Sequence, residues 1–267
     1  MLMFGLKVHH SDLETLSGLN PDALEFVLHE RDLGGEWADR VRFNGPMVLH
    51  APEKHADGSL VDLGSGDESE RLRAVDILSR TLQLADRMGA GMVVCHPGGV
   101  YDQPRDTGTG NLIRSMTELK TMSPPGVEPL MENMPDIYWN NGQLWHTSLF
   151  KDWKEIRAVL DTTGLMMCMD LCHAKLFCNS RHLDFLSYVT VLKPYIKHIH
   201  VSDALGTSGE GIQIGDGEIA FKDLKEVLES LDVIMVPEID KGFLDGGKGF
   251  RTARSRLTRY GFYRSVE

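Results

Sequence analysis

Cysteine is scarce in this 267-residue chain, and a long apolar run is missing. The four cysteines fall in or just after apolar segments without a CxxC spacing: Cys95, Cys168, Cys172 and Cys178. Buried reduced thiols are therefore favoured over disulfides or a zinc knuckle. No apolar run approaches the ~18 residues that a membrane span requires. The first ten residues have neither a basic leader nor a small-residue cleavage site, which indicates a first strand and a cytoplasmic protein.

Positively charged residues are also fewer than negatively charged ones. Lys and Arg number 28 against 39 Asp and Glu, so the formal net charge is −11. This balance opposes a nucleic-acid partner, because affinity for phosphates comes largely from Lys and Arg. Linkers, low-complexity stretches and breaks in composition are absent, and 42% of the residues are hydrophobic. We expect one globular domain over residues 1–267, bound neither to nucleic acid nor to a membrane.

Eight short apolar segments alternate with helical patterns along the chain. The segments cover residues 3–8, 23–28, 47–50, 92–96, 129–132, 165–170, 196–201 and 233–238. In the clearest helix, Ser65 and Glu68 form a capping-box pattern, apolar residues recur at three- and four-residue steps, and Gly89 is placed to end it. This alternation, in a chain of about 250 residues, predicts a (β/α)8 TIM barrel. A doubly wound open sheet is the alternative.

Six of these segments end in a side chain of the kind that binds metals: His50, His96, Glu132, Asp170, His200 and Glu238. In a closed barrel the carboxyl ends of parallel strands meet at one mouth, whereas an open sheet would spread them along a line. The set therefore favours the barrel and predicts a functional site at its mouth.

Imidazoles and carboxylates together are typical ligands of Zn²⁺, Mn²⁺ or Co²⁺. Four of the six residues come from successive strands and are expected to bind one divalent cation: Glu132, Asp170, His200 and Glu238. His50 and His96 are expected near Glu132, where they could hold a second cation. Taken singly, each histidine is more often a hydrogen-bonded core residue than a ligand, but the set as a whole favours a metal centre.

Several motifs resemble one known superfamily, in order and across most of the chain. They are HAPE at His50, VVCHPGG at His96, LMEN at Glu132, MDLCHA at Asp170, HIHVSD at His200, IGDGEI at Ile214 and PEID at Glu238. Together they look like the endonuclease IV and xylose-isomerase-like barrels. The resemblance implies a (β/α)8 barrel, a shared metal site at Glu132, Asp170, His200 and Glu238, and an additional zinc at His50 and His96. It matches His173 to a histidine that binds a third zinc or contacts a sugar.

The chain departs from the endonuclease pattern at one place. An Asp-x-His pair precedes the Ile-Gly-Glu-Gly motif of endonuclease IV, and here that place reads Gly209-Glu210-Gly211. A third zinc would lose two of its ligands, so the resemblance favours a metal-dependent isomerase or epimerase of a small sugar or sugar phosphate. An endonuclease acting on abasic DNA ranks second, and a non-catalytic metal-binding barrel is a distant third.

For the favoured reaction we expect proton abstraction next to a carbonyl, with a metal-stabilised enediolate. Glu132 and Glu238 would remove and return the proton, and His173 would orient a hydroxyl group. An aromatic loop over residues 135–146 is expected to cover the substrate with Tyr138, Trp139 and Trp145, although a surface loop is as good an interpretation. Lys241 or Lys248 could hold a phosphate, but a solvated lysine is the more common case for each.

Overall fold

The computed structural model of the protein describes residues 2–101, 103–140, 143–146 and 148–263. Its centre is a closed barrel of eight parallel strands, each hydrogen-bonded to its neighbours in chain order and the last to the first. These strands are β1 (Met3–Val8), β2 (Ala23–Val27), β3 (Met47–His50), β4 (Met92–Cys95), β5 (Glu128–Glu132), β8 (Met167–Asp170), β9 (Ile196–Val201) and β12 (Ile234–Pro237). The predicted (β/α)8 barrel is confirmed.

Two antiparallel hairpins interrupt the alternation. One pairs β6 (Tyr138–Asn140) with β7 (Gln143–Trp145), and the other pairs β10 (Asp203–Leu205) with β11 (Gly209–Ile212). The first hairpin occupies the aromatic segment for which a covering loop and a surface loop were both considered. Each hairpin follows the carboxyl end of a barrel strand, so both lie on the side of the barrel that carries the mouth.

The α-helices are α1 (Leu13–Leu16), α2 (Glu68–Met88), α3 (Arg105–Met122), α4 (Trp153–Thr163), α5 (Leu171–Arg181), α6 (Phe185–Leu192), α7 (Phe221–Leu228) and α8 (Leu244–Arg259). Short 3₁₀ helices cover His10–Asp12, Ser17–Leu19, Glu30–Gly34, Ala38–Arg40 and Lys193–Tyr195. Within the described ranges, no helix has the length and apolar character needed to cross a membrane.

The start of α2 differs from the sequence prediction. The expected capping box of Ser65 and Glu68 is wrong, because the N-cap is Asp67, whose carboxylate accepts the backbone N–H groups of Ser69 and Glu70. The end is as predicted: Gly89 adopts φ 71°, in the left-handed region that closes many helices.

The helix α5 was missed altogether. Buried residues lie all round it, including Leu171, Cys172, Ala174, Leu176 and Phe177, so its sequence shows no single apolar stripe. A helix enclosed on every side lacks the periodicity by which amphipathic helices are recognised. The helix begins directly at the end of β8, next to Asp170, one of the predicted cation ligands.

Two layers of side chains line the barrel. A buried apolar cluster comes from barrel strands alone: Ala23, Val48, Val94, Leu130, Cys168, Ile234 and Val236. Side chains two positions further along a strand point to the same face. The apolar layer therefore carries a polar layer above it, formed by Glu25, His50, His96, Glu132, Asp170 and Glu238. Each of the four cysteines is buried and free, as predicted.

One glycine is needed for the barrel to close. A Cβ atom at Gly5 would lie 2.5 Å from Val236 Cγ2 and 2.7 Å from Ile234 Cγ2, closer than side-chain carbons pack. Gly5 thus lets β1 approach β12 and brings Lys7, two residues further along β1, beside the end of β12.

Candidate functional site

The four residues predicted to share one cation lie together at the barrel mouth. Their ligand atoms, from Glu132, Asp170, His200 and Glu238, are all within 4.8 Å of one another. The Nδ1 atom of His200 lies 3.4 Å from Glu132 Oε2 and 3.1 Å from Glu238 Oε1. The strand ends therefore place three carboxylates around one imidazole nitrogen.

Two observations indicate that this group fits a divalent cation. The His200 Nδ1 atom is buried, and among the described residues it has no hydrogen-bond partner. Burial, followed by the negative charges of Glu132 and Glu238, raises the pKa of Asp170 to about 7, against the attraction of the His173 and His200 imidazoles. A bound cation would use the free nitrogen and compensate the concentrated negative charge.

Asp170 is held in place by its neighbours. Its side chain is the N-cap of α5 and accepts the backbone N–H of His173 at 2.6 Å. Asn133, the residue after the adjacent strand β5, fixes the Asp170 backbone: its side chain donates to the Asp170 carbonyl at 2.9 Å and accepts the Asp170 N–H at 2.8 Å. The missed helix α5 thus has a direct role in orienting one candidate ligand.

His50 and His96 both lie beside the Glu132 carboxylate. Their Nε2 atoms lie 3.3 Å and 3.4 Å from Glu132 Oε2. Glu53, which the sequence prediction omitted, also has a carboxylate oxygen within 4.8 Å of both ring nitrogens. Burial opposes ionisation of Glu53, but the His96 and His50 imidazoles lower its pKa to about 2. The group has the composition of a second cation site that shares Glu132 with the first.

His173 lies at the start of α5 and is buried. Its Nδ1 atom is 2.9 Å from the Asn133 carbonyl oxygen, an acceptor, so the proton belongs on this nitrogen. Its Nε2 atom lies 3.3 Å from Glu210 Oε1 on β11. Glu210 therefore stands beside His173 at the place where the endonuclease pattern has its Asp-x-His pair.

A buried network that the sequence prediction missed supports His200 from behind. Glu25 lies inside the barrel with 0% exposure, and its Oε2 atom accepts from His198 Nε2 at 2.6 Å and from His200 Nε2 at 3.0 Å. The other oxygen, Oε1, is 3.4 Å from Lys7 Nζ, and Lys7 also donates to Glu238. The proton on His200 is thereby assigned to Nε2, which leaves Nδ1 free to bind a cation.

Opposite charges allow Lys7 and Glu25 to stay ionised although burial in the barrel opposes the charged form of each. Burial disfavours the ammonium form of Lys7, but Glu238 and Glu25 outweigh this effect and raise its pKa. Burial likewise disfavours the Glu25 carboxylate, yet His200 and Lys7 hold its pKa well below the usual range. Lys7 and Glu25 therefore remain charged as a pair.

The distances divide the site into two kinds of contact. The histidine contacts to Glu25 are 2.6–3.0 Å, as in charge-assisted hydrogen bonds, whereas the histidine contacts to Glu132 and Glu238 are 3.1–3.4 Å. Two ligands about 2.0–2.1 Å from a tetrahedral zinc are separated by roughly 3.3 Å. The longer contacts thus have the spacing of metal ligands.

The residues predicted to cover the substrate or to hold a phosphate are not all close to the centre. Tyr138 donates to Glu53 at 3.0 Å, and its ring lies 5.9 Å from that of His96, so the first hairpin reaches the site. Trp139 and Trp145 lie in this hairpin, but their side chains fall outside the described part of the chain. The Lys241 side chain is 70% exposed and 3.4 Å from Asp240 Oδ2.

A cavity of about 620 Å³ opens beside the centre. Its polar wall includes Lys7, Asp12, Glu210, Glu238 and Asp240, and its apolar wall includes Val8, Leu16, Phe243 and Phe250. The predicted phosphate-binding residues Lys241 and Lys248 do not occur among its described lining residues. This cavity gives a small molecule access to the Glu238 side of the centre.

Comparison with known proteins agrees with this architecture. An uncharacterised protein of Methanocaldococcus jannaschii is 27% identical over 203 residues, covering 74% of this chain and 72% of that protein. A probable endonuclease 4 of Aquifex aeolicus is 26% identical over 200 residues, covering 70% of this chain and 67% of that protein.

A crystal structure of a D-tagatose 3-epimerase-like protein matches with a TM-score of 0.79 at 21% identity, covering 97% of this chain and 98% of that one. At this identity the likeness shows the fold alone. Residues 22–260 match the family model described as a xylose isomerase-like TIM barrel. The chain therefore belongs to the xylose isomerase-like TIM-barrel family.

Proposed function

We propose that the protein is a divalent-metal-dependent isomerase or epimerase of a small sugar. The observation that carries this proposal is the placement of two carboxylates, Glu132 and Glu238, beside the free His200 Nδ1 atom, 3.4 Å and 3.1 Å away. An epimerisation needs one group to remove a proton from carbon and another to return one. Glu132 and Glu238 have the positions for both roles.

Glu132, Asp170, His200 and Glu238 would hold the cation, which we expect to be Zn²⁺, Mn²⁺ or Co²⁺. When bound, the cation would polarise the sugar carbonyl and the neighbouring hydroxyl, and so make the intervening C–H group more acidic. His50 and His96 would hold a second cation together with Glu132.

Lys7 and His200 prepare Glu238 to accept a proton. Burial disfavours the carboxylate form of Glu238, but the charges of His200 and Lys7 overcome this effect and lower its pKa. Glu238 is therefore ionised at neutral pH, as a base must be. His173, with its Nδ1 proton directed at the Asn133 carbonyl, would present Nε2 to a sugar hydroxyl.

The cavity favours an uncharged sugar over a phosphate ester. Its acidic residues Asp12, Glu210 and Asp240 would repel a phosphate group, and Lys7 in its wall is already paired with two carboxylates. Phe243 and Phe250 offer an apolar surface for the C–H face of a sugar ring or chain. We therefore rank free ketoses above sugar phosphates.

The test is exchange of carbon-bound hydrogen with deuterated solvent, followed by NMR over a panel of free ketopentoses and ketohexoses and their phosphates. Glu238→Gln keeps the volume and one oxygen ligand but removes the base, so exchange is expected to fall about 100- to 10,000-fold. Glu132→Gln is run beside it, and metal content is measured in both. Glu229→Gln, on the exposed surface, is the matched control.

Two outcomes would count against the proposal. Near-normal exchange in both fully metallated variants would show that neither glutamate is the base. An absence of exchange by the metal-loaded wild type over the whole panel would remove the sugar assignment.

An endonuclease-like phosphodiesterase remains the second candidate, because the pair His50 and His96 beside Glu132 could hold the additional zinc that this activity uses. Against it stand the acidic cavity, the net charge of −11 and the position of Glu210. We expect no efficient cleavage of abasic duplex DNA. Nicking of such a duplex by metal-loaded protein at low concentration would reverse the order of the two candidates.

A further inference from the structure

Another group of metal-binding side chains lies at the rim of the mouth, outside the barrel centre. His9 and His10 follow β1, and Asp32 lies in the 3₁₀ helix Glu30–Gly34 after β2. Their ligand atoms are all within 4.8 Å of one another. The Nε2 atoms of His9 and His10 lie 3.3 Å and 3.2 Å from different oxygens of the Asp32 carboxylate.

Neighbouring residues fix the orientation of this group. His9 Nδ1 is 2.7 Å from Ser11 Oγ, which turns the Nε2 edge toward Asp32. The Trp37 ring stacks on His10 with a centroid separation of 4.8 Å and an angle of 13°, and Trp37 Nε1 donates to the Asp32 carbonyl at 2.9 Å. Metal-binding imidazoles usually have this kind of outer support.

The contacts of His9 and His10 to Asp32 are within hydrogen-bond distance, and their length also suits two ligands of one cation. A charge-assisted N–H···O bond is usually about 2.7–2.9 Å long, and the His29 backbone N–H does approach Asp32 Oδ2 at 2.7 Å. The two imidazoles remain at 3.2–3.3 Å, close to the roughly 3.3 Å that separates two ligands of a tetrahedral zinc. His29 Nδ1, 3.9 Å from the same carboxylate, and water are the available fourth ligands.

We propose that His9, His10 and Asp32 form a further site for a zinc-type divalent cation, independent of the centre at Glu132. Two imidazoles with one carboxylate suit Zn²⁺, Co²⁺ or Ni²⁺ better than Mg²⁺ or Ca²⁺. His9 and His10 precede residue 22, where the match to the family model begins, so that model does not assign them. A cation here would join the loops after β1 and β2 and fix the part of the cavity wall that His9 contributes.

The test is the number of Zn²⁺ ions bound per chain after equilibrium dialysis, for wild type, His10→Asn and Asp32→Asn. The amide introduced by Asp32→Asn keeps the shape of the carboxylate and can still accept the His29 N–H, so this variant is expected to fold. His182→Asn is the control for zinc held by a surface imidazole, and asparagine suits its left-handed backbone, φ 55°. A thermal shift on adding Zn²⁺ gives a second readout.

Wild type and His182→Asn are expected to bind one more zinc per chain than His10→Asn and Asp32→Asn. Adding Zn²⁺ should raise the melting temperature of wild type and His182→Asn, and His10→Asn and Asp32→Asn should largely lose this thermal shift. The visible spectrum of Co²⁺-loaded protein should lose a component in the same two variants. Equal zinc counts in folded wild type, His10→Asn and Asp32→Asn would overturn the proposal. The group would then be a metal-free cluster in which His9 and His10 donate to Asp32.

Discussion

The two halves of the barrel mouth hold their polar groups in different ways. The lysine half comprises Lys7, Glu25, His198 and Glu238, and the histidine half comprises His50, Glu53, His96 and Tyr138. In the lysine half, Glu25 accepts from His198 at 2.6 Å and from His200 at 3.0 Å. In the histidine half, His50 and His96 stand 3.3 Å and 3.4 Å from Glu132. The histidine contacts to the shared carboxylate are thus shorter in the first half than in the second.

The difference assigns separate tasks to the two halves. Glu25 is completely buried, so its bonds to His198 and His200 are not screened by water and keep His200 in one tautomer. His96 is half-buried, and its contact to Glu132, at 3.4 Å, is longer than the hydrogen bonds of Glu25 to His198 and His200. The hydrogen bonds of the lysine half therefore orient His200, and the histidine half is where we propose that a second cation binds.

Removal of Glu25 is expected to have the largest effect on the difference between the two halves. Glu25→Ala would leave Lys7, His198 and His200 without their common acceptor in the barrel, and we expect a loss of about 3–5 kcal/mol in the free energy of unfolding. Glu53→Ala, the matched change in the histidine half, is expected to cost less than half as much. Urea unfolding monitored by circular dichroism measures both, and equal losses would show that the halves do not differ in this respect.

A milder change separates stability from metal binding. Glu25→Gln keeps the volume but replaces a carboxylate by a neutral amide, so the support of His200 Nε2–H weakens. We expect the affinity for Zn²⁺ or Mn²⁺ to fall about 10- to 100-fold, the usual effect of losing such a partner. Chelator competition measures this value, with Glu229→Gln as control. Unchanged affinity in a folded Glu25→Gln protein would limit Glu25 to a structural role.

The comparison also shows what the sequence could reveal. Apolar runs located the eight strands, and the polar final residues of six of them placed His50, His96 and Glu132 together, because parallel strands end on the same side of a barrel. Glu25 and Lys7 were missed because they lie within apolar segments instead of at their ends. Period-2 alternation from the buried Ala23 would have been a usable signal for Glu25.

Other parts of the site could not be read from local sequence. His198, the tightest partner of Glu25, is 173 residues away along the chain, and only barrel closure brings the two together. Helix α5 has apolar residues on every face, which removes the periodic signal. The contact between Glu210 and His173 depends on the β10–β11 hairpin, which places Glu210 beside a residue 37 positions earlier in the chain.

A third change tests whether the histidine half binds a ligand. His96→Asn removes one imidazole that is partly exposed and that makes only a long contact to Glu132, so the free energy of unfolding should fall by about 1 kcal/mol or less. Metal analysis of wild type and variant should show loss of the second cation, with the first retained at Asp170, His200 and Glu238. A metal count that does not change would mean that His96 serves the substrate instead.

The smallest expected effect concerns the segment that leads into the hairpin over the histidine half. Asp136 precedes that hairpin and accepts from Lys151 at 2.6 Å and from Arg181 at 2.8 Å. Burial opposes ionisation of Asp136, but the hydrogen bonds from Arg181 and Lys151 outweigh it and lower its pKa to about 2, from an ordinary 3.8. Because the folded pKa is the lower one, the carboxylate stabilises the fold above pH 3.8 and loses this contribution as the pH falls toward 2.

Asp136→Asn should therefore lower the free energy of unfolding by about 1 kcal/mol at neutral pH, after allowance for solvent screening of this partly exposed group. The difference in unfolding free energy between wild type and Asp136→Asn should be smaller at about pH 3. At that pH, protonation of Asp136 favours the unfolded wild-type chain. Asp223→Asn, on the exposed side of α7, controls for the general effect of one charge. A stability deficit that stays constant with pH would mean that Asp136 acts through packing. The position of the β6–β7 hairpin over the histidine half would then not depend on the charge of Asp136.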